Sequence, residues 1–405
     1  MKNMRKDFPI LNQKVGDKPL IYFDTAATSQ RPQQVIDALS SFYTDSNANI
    51  HRGIHMLSER ATELYETARE KIANFIGAAD SCEVVFTRGA TEGINIVAET
   101  WGMENLKAGD EILVSEMEHH ANLLPWQRLV QRTGAILKFI PVTPGGTLAM
   151  DKLDELITPR TKLVAVTHAS NVLGTHVDVK TIAKKAHAVG ARILVDAAQS
   201  IPHEKIDVQD LDCDFLAFSG HKMLGPTGIG ILYIKKELHK ALPPYQVGGG
   251  IVYEVDFNDA QWLEVPQRLE AGTPAIAQAV GLGAAVDYMN ERVNFDELKK
   301  HEAALTTRAI EGLAPLPKVR LFGPLEDLKK SGHLVNFVVE GMHAHDVAEY
   351  LNCNGIAVRA GHHCAQPLAK KLGVPASVRA SFHGYNTLDE VDSFVTAMTG
   401  LVTEG

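Results

Sequence analysis

Arg192-Ile193-Leu194-Val195-Asp196-Ala197-Ala198-Gln199 and, 23 residues on from Asp196, Ser219-Gly220-His221-Lys222 closing the run Phe215-Leu216-Ala217-Phe218: this stretch decides the fold. Two short apolar runs, neither alternating with polar residues, each end in a burst of chemistry-bearing side chains. A strand loses its alternation when both of its faces are covered, which is the condition of a parallel sheet between two layers of helices. The same unit recurs outward along the chain. Glu83–Phe86, Glu111–Val114, Ile136–Pro141 and Lys162–Thr167 read as further strands, and Gly228–Ile234 adds one more beside its neighbour. Helical patterns over Glu92–Trp101, about Ala121–Thr133 and Val179–Val189 separate most of them. Strands alternating with helices give an α/β fold with a mostly parallel sheet.

From about residue 290 the pattern changes. A charged helix over Phe295–Leu313 is followed by strand-like Leu334–Val339, a helix over Ala344–Leu351, strands over Ile356–Arg359 and Ser377–Phe382, and a last helix over Leu388–Leu401. That is a smaller α+β unit. The expected organisation is an N-terminal segment 1–20 packing on the small domain, a large cofactor-binding domain 21–290, and a small C-terminal domain 291–405 carrying a cysteine loop.

Composition excludes several classes of function. The 405 residues are 45 % hydrophobic and 22 % charged, ordinary for a soluble globular chain. Forty Lys and Arg against 49 Asp and Glu leave a net charge of -9, with no basic run to neutralise phosphates, so no nucleic-acid partner is expected. Cys82, Cys213, Cys353 and Cys364 are scattered and form no C-x-x-C pair, which gives neither a disulfide framework nor a zinc-finger spacing. No apolar segment follows the basic start Met1–Lys6, and no run of about 18 apolar residues exists, so neither a signal peptide nor a membrane span is expected. A reducing cytoplasmic setting fits these features.

In sheets of this kind ligands gather beyond the carboxyl ends of the strands. After Phe86 comes Thr87-Arg88-Gly89-Ala90-Thr91-Glu92-Gly93, a small-residue turn opening a helix, where free N–H groups and the helix dipole suit a phosphate. It is not a P-loop, and no G-x-G-x-x-G occurs. After Val114 come Glu118-His119-His120, after Thr167 His168-Ala169-Ser170-Asn171, after Val195 Asp196 and Gln199, and after Phe218 Ser219, His221 and Lys222. Each alone has a plain reading as a cap, a solvated lysine or a structural histidine. Together they place a phosphate cradle, a carboxylate, a flat aromatic base and a lysine at one sheet edge. A lysine amine condenses with a carbonyl once its pKa falls from about 10.4. A carboxylate against a pyridine nitrogen keeps that ring an electron sink. The cofactor this predicts is pyridoxal 5′-phosphate.

Asp196-Ala197-Ala198-Gln199 with Ser219-Gly220-His221-Lys222 resembles the class V, fold-type I pyridoxal-phosphate enzymes. Arg359-Ala360-Gly361-His362-His363-Cys364-Ala365 and Arg379-Ala380-Ser381-Phe382 narrow the resemblance to the group II cysteine desulfurases of the sulfur-mobilisation type, also described as selenocysteine lyases. It runs from Tyr22-Phe23-Asp24-Thr25-Ala26-Ala27 through His51-Arg52-Gly53-Ile54-His55 to Tyr385-Asn386-Thr387. The resemblance implies a large domain with a seven-stranded sheet and the release of sulfur from L-cysteine, giving L-alanine and a persulfide on Cys364. The sulfur then passes to an acceptor protein for iron–sulfur cluster assembly, and L-selenocysteine is served by the same residues. It implies Lys222 as the Schiff-base lysine, Asp196 on the pyridine nitrogen, His119 stacked on the ring and Gln199 at the phenolic oxygen. Ala90, Thr91, Ser219 and His221 fall at the phosphate. Thr273, in Glu270-Ala271-Gly272-Thr273-Pro274, resembles a residue reaching the phosphate from a neighbouring subunit, hence a homodimer. Arg379, with Asn171 and Arg359, falls at the substrate carboxylate, a task suited to a bidentate guanidinium.

Cys364 separates function from fold. A lone cysteine is ordinarily a small buried hydrophobe, which suits Cys82, Cys213 and Cys353. Cys364 sits instead in a short Gly-His-His loop after Arg359, where the histidines and the arginine are expected to supply positive charge that favours a thiolate. A His-His-Cys metal site is disfavoured, since adjacent residues rarely point at one ion and no further ligands are grouped with them. The competing reading is a class V aminotransferase in which Cys364 is idle. A non-catalytic binding module is expected to have lost Lys222, Asp196 or Arg379, and all three are present.

Overall fold

The computed structural model describes residues 4–404; of the expected N-terminal segment, residues 1–3 lie outside the described residues. Seven strands form the central sheet: β1 Val84–Thr87, β2 Glu111–Ser115, β3 Ile136–Ile140, β4 Thr161–Thr167, β5 Arg192–Asp196, β6 Phe215–Ser219 and β7 Gly230–Ile234. Their spatial order is β1-β7-β6-β5-β4-β2-β3. β2 to β6 pair parallel, and β7 alone runs antiparallel, between β6 and β1. The apolar runs are apolar because they are covered twice: β1, β2, β6 and β7 are buried at every position. Val164, Val166, Ile193 and Val195 face one core, and Leu163, Ala165 and Leu194 the other.

One face carries α1 Gln33–Asp45, α2 Met56–Phe75 and α3 Ile276–Arg292. The last of these is the blandest stretch of the chain because it packs against both of its companions. A Cβ on Gly283 would stand 3.0 Å from the Ala68 Cβ, tighter than side chains ordinarily pack, so glycine eases the approach of α2 to α3. The helix after β1 is regular over Ala90–Val97 and continues as a π-helical turn to Gly102, extending past both ends of the expected Glu92–Trp101 pattern.

A second, four-stranded antiparallel sheet is built from Val319–Phe322 (β8), Leu334–Val339 (β9), Arg359–Gly361 (β10) and Ser377–Ser381 (β11), in the order β8-β9-β11-β10. Helices α4 Phe295–Leu313 and α5 Leu388–Glu404 cover it around Leu305, Ile310, Phe337, Phe382 and Phe394. The single strand expected over Ile356–Arg359 is two pieces. Ile356–Ala357 pairs parallel with Ile21–Tyr22, and the chain then turns into β10. The N-terminal residues fasten the two sheets together: the Phe8 ring packs on Tyr288 of α3 and on Tyr385, while Arg5 pairs with Glu390 on α5. No helix of the described residues is long and apolar enough to cross a membrane.

Candidate active site

Because β2, β4, β5 and β6 are parallel, their last residues fall along one edge of the sheet, and the second sheet closes over that edge. The result is a cavity of about 270 Å³ lined by Ala90, Thr91, His119, Asn171, Asp196, Gln199, Ser219, His221, Lys222, Arg359, Cys364 and Arg379, together with His363. All but one of the residues singled out in the sequence are therefore brought together. Thr273 is not among them. It lines a separate surface cavity with His51, Gly250, Gln267 and Glu270.

At the sheet end, the Ser219 hydroxyl accepts from the Ala90 N–H at 2.9 Å, joining the turn after β6 to the start of the helix after β1. Thr91, Ser219 and the His221 ring thus stand around that helix N-terminus, where donors are unspent and the dipole is positive. His221 is kept neutral, its pKa lowered to about 4 by burial and by Lys222. The Lys222 amine faces the cavity and has no hydrogen-bonding or ion-pair partner among the described residues. Burial lowers its pKa to about 8, against the opposing pull of Asp196, which raises it. Asp196 is buried as well, which raises its pKa, and the partner found for its carboxylate is the Ala198 N–H at 3.0 Å.

His119 caps a short turn, its Nδ1 accepting from the Ala121 N–H at 3.0 Å, and burial lowers its pKa to about 3. That fixes a neutral ring with the proton on Nε2. Behind it lies Glu118, to which the sequence reading gave no role. Its enclosed carboxyl takes hydrogen bonds from Ser115 Oγ, Asn122 Nδ2 and the Thr167 N–H, and burial raises its pKa to about 8. It ties the His119 turn to β2 and β4. An acidic residue beside a ring-facing histidine was the available signal. Gln199 reaches back to the Ala26 carbonyl at 2.8 Å.

The second sheet brings the arginines. Arg379, on β11, gives one guanidinium N–H to the Asn171 carbonyl at 2.7 Å, and its Nε is buried without any partner. Arg359 grips Asp24 with Nε and Nη2 at 2.9–3.3 Å, while Asp24 stands 3.6 Å from Arg379. Asp24, quoted in the sequence only as part of a motif, is thus the carboxylate that organises both arginines. Burial lowers the Arg379 pKa to about 10, so the group stays charged at neutral pH.

Cys364 lies at the exposed mouth of the cavity, within electrostatic reach of Lys222, Arg359 and Arg379. Its loop is held open by backbone in the left-handed region, at φ +52° for His363 and +54° for Cys364, with the Cys364 carbonyl accepting from the His120 N–H at 2.7 Å. Non-glycine residues persist there only when their surroundings demand it. His363 does not supply the charge expected of it. His363 is buried with its pKa lowered to about 3, its Nε2 paired with Ser377, and burial lowers His120 too. Arg359 and Arg379 bring positive charge near the thiol.

These groups fit pyridoxal phosphate on the structure's own terms. An unpartnered amine, a buried carboxylate with one N–H and an orphaned, buried guanidinium N–H face one cavity. Each matches a feature of that cofactor and an amino-acid substrate: aldehyde, pyridine nitrogen and carboxylate.

Comparison with known proteins agrees. The class-V aminotransferase family matches residues 21–394. A probable cysteine desulfurase from Halalkalibacterium halodurans is 50 % identical over 395 residues, covering 98 % of this chain and 96 % of the relative. A cysteine desulfurase from Salmonella agona is 48 % identical over 400 residues, covering 98 % and 97 %. Among solved structures, the apo cysteine desulfurase of Thermococcus onnurineus NA1 superposes with a TM-score of 0.94 at 44 % identity, covering 100 % of this chain and 98 % of that one. The Escherichia coli cysteine desulfurase CsdA gives 0.90 at 42 %, covering 99 % and 97 %.

Proposed function

The chain belongs to the class-V aminotransferase family and is a pyridoxal-phosphate-dependent cysteine desulfurase of fold type I, and from that premise we propose how its own residues divide the work. The observation that carries the reading is the meeting of Lys222, Asp196 and Arg379 with the Cys364 thiol at one cavity.

The bound cofactor supplies an aldehyde that takes up an amine and a ring that accepts the electron pair of a broken Cα–H bond. Asp196 would hold the proton on the pyridine nitrogen, His119 would cover the ring, Gln199 would serve the phenolic oxygen, and Ala90, Thr91, Ser219 and His221 would hold the phosphate. Arg379 takes the substrate carboxylate through its unpartnered Nε edge, with Asn171 beside it and Arg359 fixing Asp24 at the entrance. Lys222, whose amine is neutral once the pH passes about 8, takes the α-proton from the substrate and returns one to carbon. Cys364 attacks the substrate sulfur: a bond forms between the two sulfurs, the substrate Cβ–S bond breaks, and its electron pair stays with the carbon skeleton that leaves as L-alanine. The persulfide on Cys364 then passes to a sulfur-acceptor protein.

The exposure of Cys364 supports direct transfer to an acceptor protein, for iron–sulfur cluster assembly. L-selenocysteine carries the same carboxylate and amine and presents selenium to the same thiol, so selenocysteine lyase activity follows. We place the enzyme in the cytoplasm, divided as a segment 1–20, a large domain 21–290 and a small domain 291–405. A homodimer is supported by exposed Val247, Tyr253, Val255 and Phe257 on and beside the hairpin Val252–Val255/Ala260–Trp262, close to the Thr273 cavity. A second copy covering this face brings Thr273 toward the partner's phosphate. Sedimentation equilibrium tests it: a dimer is expected, and a monomer at micromolar concentration removes Thr273 from the site.

A further inference from the structure

A second polar cluster is sealed between the two sheets, and the reaction uses none of it. His203 sits in the turn after β5, Glu302 on α4, His333 just before β9, and His383 two residues past β11. Their exposures are 6, 2, 1 and 0 %. The His203 and His333 rings stack at 4.0 Å, His383 lies 5.4 Å from His203, and His203 Nδ1 meets Glu302 Oε1 at 2.9 Å. Among the described residues neither ring nitrogen of His333 has a hydrogen-bond partner, and His383 Nε2 has only the Pro202 backbone to turn to. Orphaned buried polar atoms are costly, and a group of them calls for an explanation such as an ion. His383 also belongs to Phe382-His383-Gly384, a stretch to which the desulfurase reaction gives no role.

We propose that His203, Glu302 and His383 form a binding site for one divalent transition-metal ion of the zinc class. Their ligand atoms all lie within 4.8 Å of one another. Ligands about 2.0–2.1 Å from a tetrahedral ion stand roughly 3.4 Å apart, so the site closes with side-chain shifts of about an ångström. Two imidazoles and a carboxylate are a zinc donor set, with a fourth position left for water. Charge is provided for. Glu302 contributes one negative charge, and the Glu204 carboxylate stands 3.4 Å from His176 and 3.6 Å from His168 at the edge of the cluster.

The protons balance. Without the ion, His203 and Glu302 share one proton, which leaves to solvent as the ion takes its place. His383 Nδ1 accepts from the Gly384 N–H at 2.8 Å, so its ring proton is on Nε2; it moves to Nδ1 as the ring turns to bind. Entry is by way of half-buried His176, beside a surface cavity of about 230 Å³ between Thr175 and Pro324, its ring 6.5 Å from His333. The ion would join the β5 turn, α4 and the end of β11, the strand that carries Arg379.

The test loads chelator-treated holoenzyme with Zn²⁺, removes free metal through a desalting column, and counts retained zinc by elemental analysis; Co²⁺ is run in parallel for its visible ligand-field bands. About one ion per chain is expected. It should be lost in Glu302→Gln and in His383→Leu, and kept when the stacked surface pair is removed by His343→Ala with His345→Ala. No retained ion in the wild type overturns the proposal, whatever the variants' folding. So does an ion that survives both buried substitutions or disappears with the surface pair.

Discussion

Replacing Arg379 tests the substrate end of the site with a magnitude the structure supplies. Its guanidinium is anchored by one N–H on the Asn171 carbonyl, and the buried Nε faces no acceptor. Asp24 stands 3.6 Å from Nη2 and is shared with Arg359, which leaves Nε open. A carboxylate docking there gains two charge-assisted hydrogen bonds, each about 1.5–3 kcal/mol. Arg379→Ala forfeits both, about 3–6 kcal/mol, which lowers kcat/KM for L-cysteine by roughly 10²- to 10⁴-fold. Arg379→Lys keeps a charge but not the planar fork, and falls between, at roughly 10- to 100-fold. Asp24 retains Arg359 in both variants, so the fold and the bound cofactor's absorbance stay intact. Initial rates of alanine formation across cysteine concentrations give the ratio. An Arg379→Ala enzyme within threefold of wild type, with normal cofactor absorbance, would refute the assignment.

Two further outcomes follow from the same contacts. The Lys222 amine, lowered to about 8 by burial, is neutral above that pH, so the rate at which cofactor-free enzyme captures pyridoxal phosphate should rise with pH and level off past about 8. Asp196 raises that value, so Asp196→Asn should move the midpoint lower; stopped-flow absorbance measures both, and a wild-type midpoint near that of free lysine, about 10.4, would contradict the geometry. Glu270 takes two N–H groups of buried Arg69, the Phe86 N–H and the Tyr65 hydroxyl. Glu270→Ala leaves a buried guanidinium short of its partner and should cost about 3–5 kcal/mol, seen as a thermal midpoint several degrees lower. An unchanged midpoint would mean the pair is dispensable.

The central sheet was legible because burial on both faces removes alternation from a strand, and the β5 and β6 runs show that plainly. The site was legible for the same reason: parallel strands put Asp196, Lys222, His119 and Asn171 at one edge without any knowledge of side-chain direction. What the sequence hid depends on contacts between distant segments. Ile21–Tyr22 is too short to announce itself, and becomes a strand only by pairing with Ile356–Ala357. β8, Val319–Phe322, is an edge strand with half-buried positions and no apolar run to betray it. Glu118 and Asp24 look like surface acids until their partners are known. The histidines of the cysteine loop were expected to carry charge, and burial, which a sequence does not display, denies it to His363.

The most direct test of the account is product analysis from a single turnover with L-cysteine and no reductant, comparing wild type with Cys364→Ser. The account predicts about one alanine per active site from the wild type, a persulfide on Cys364, and almost no alanine from the variant although its cofactor absorbance is unchanged. Pyruvate and an aminated cofactor from both proteins would contradict it, and would make Cys364 a bystander to transamination.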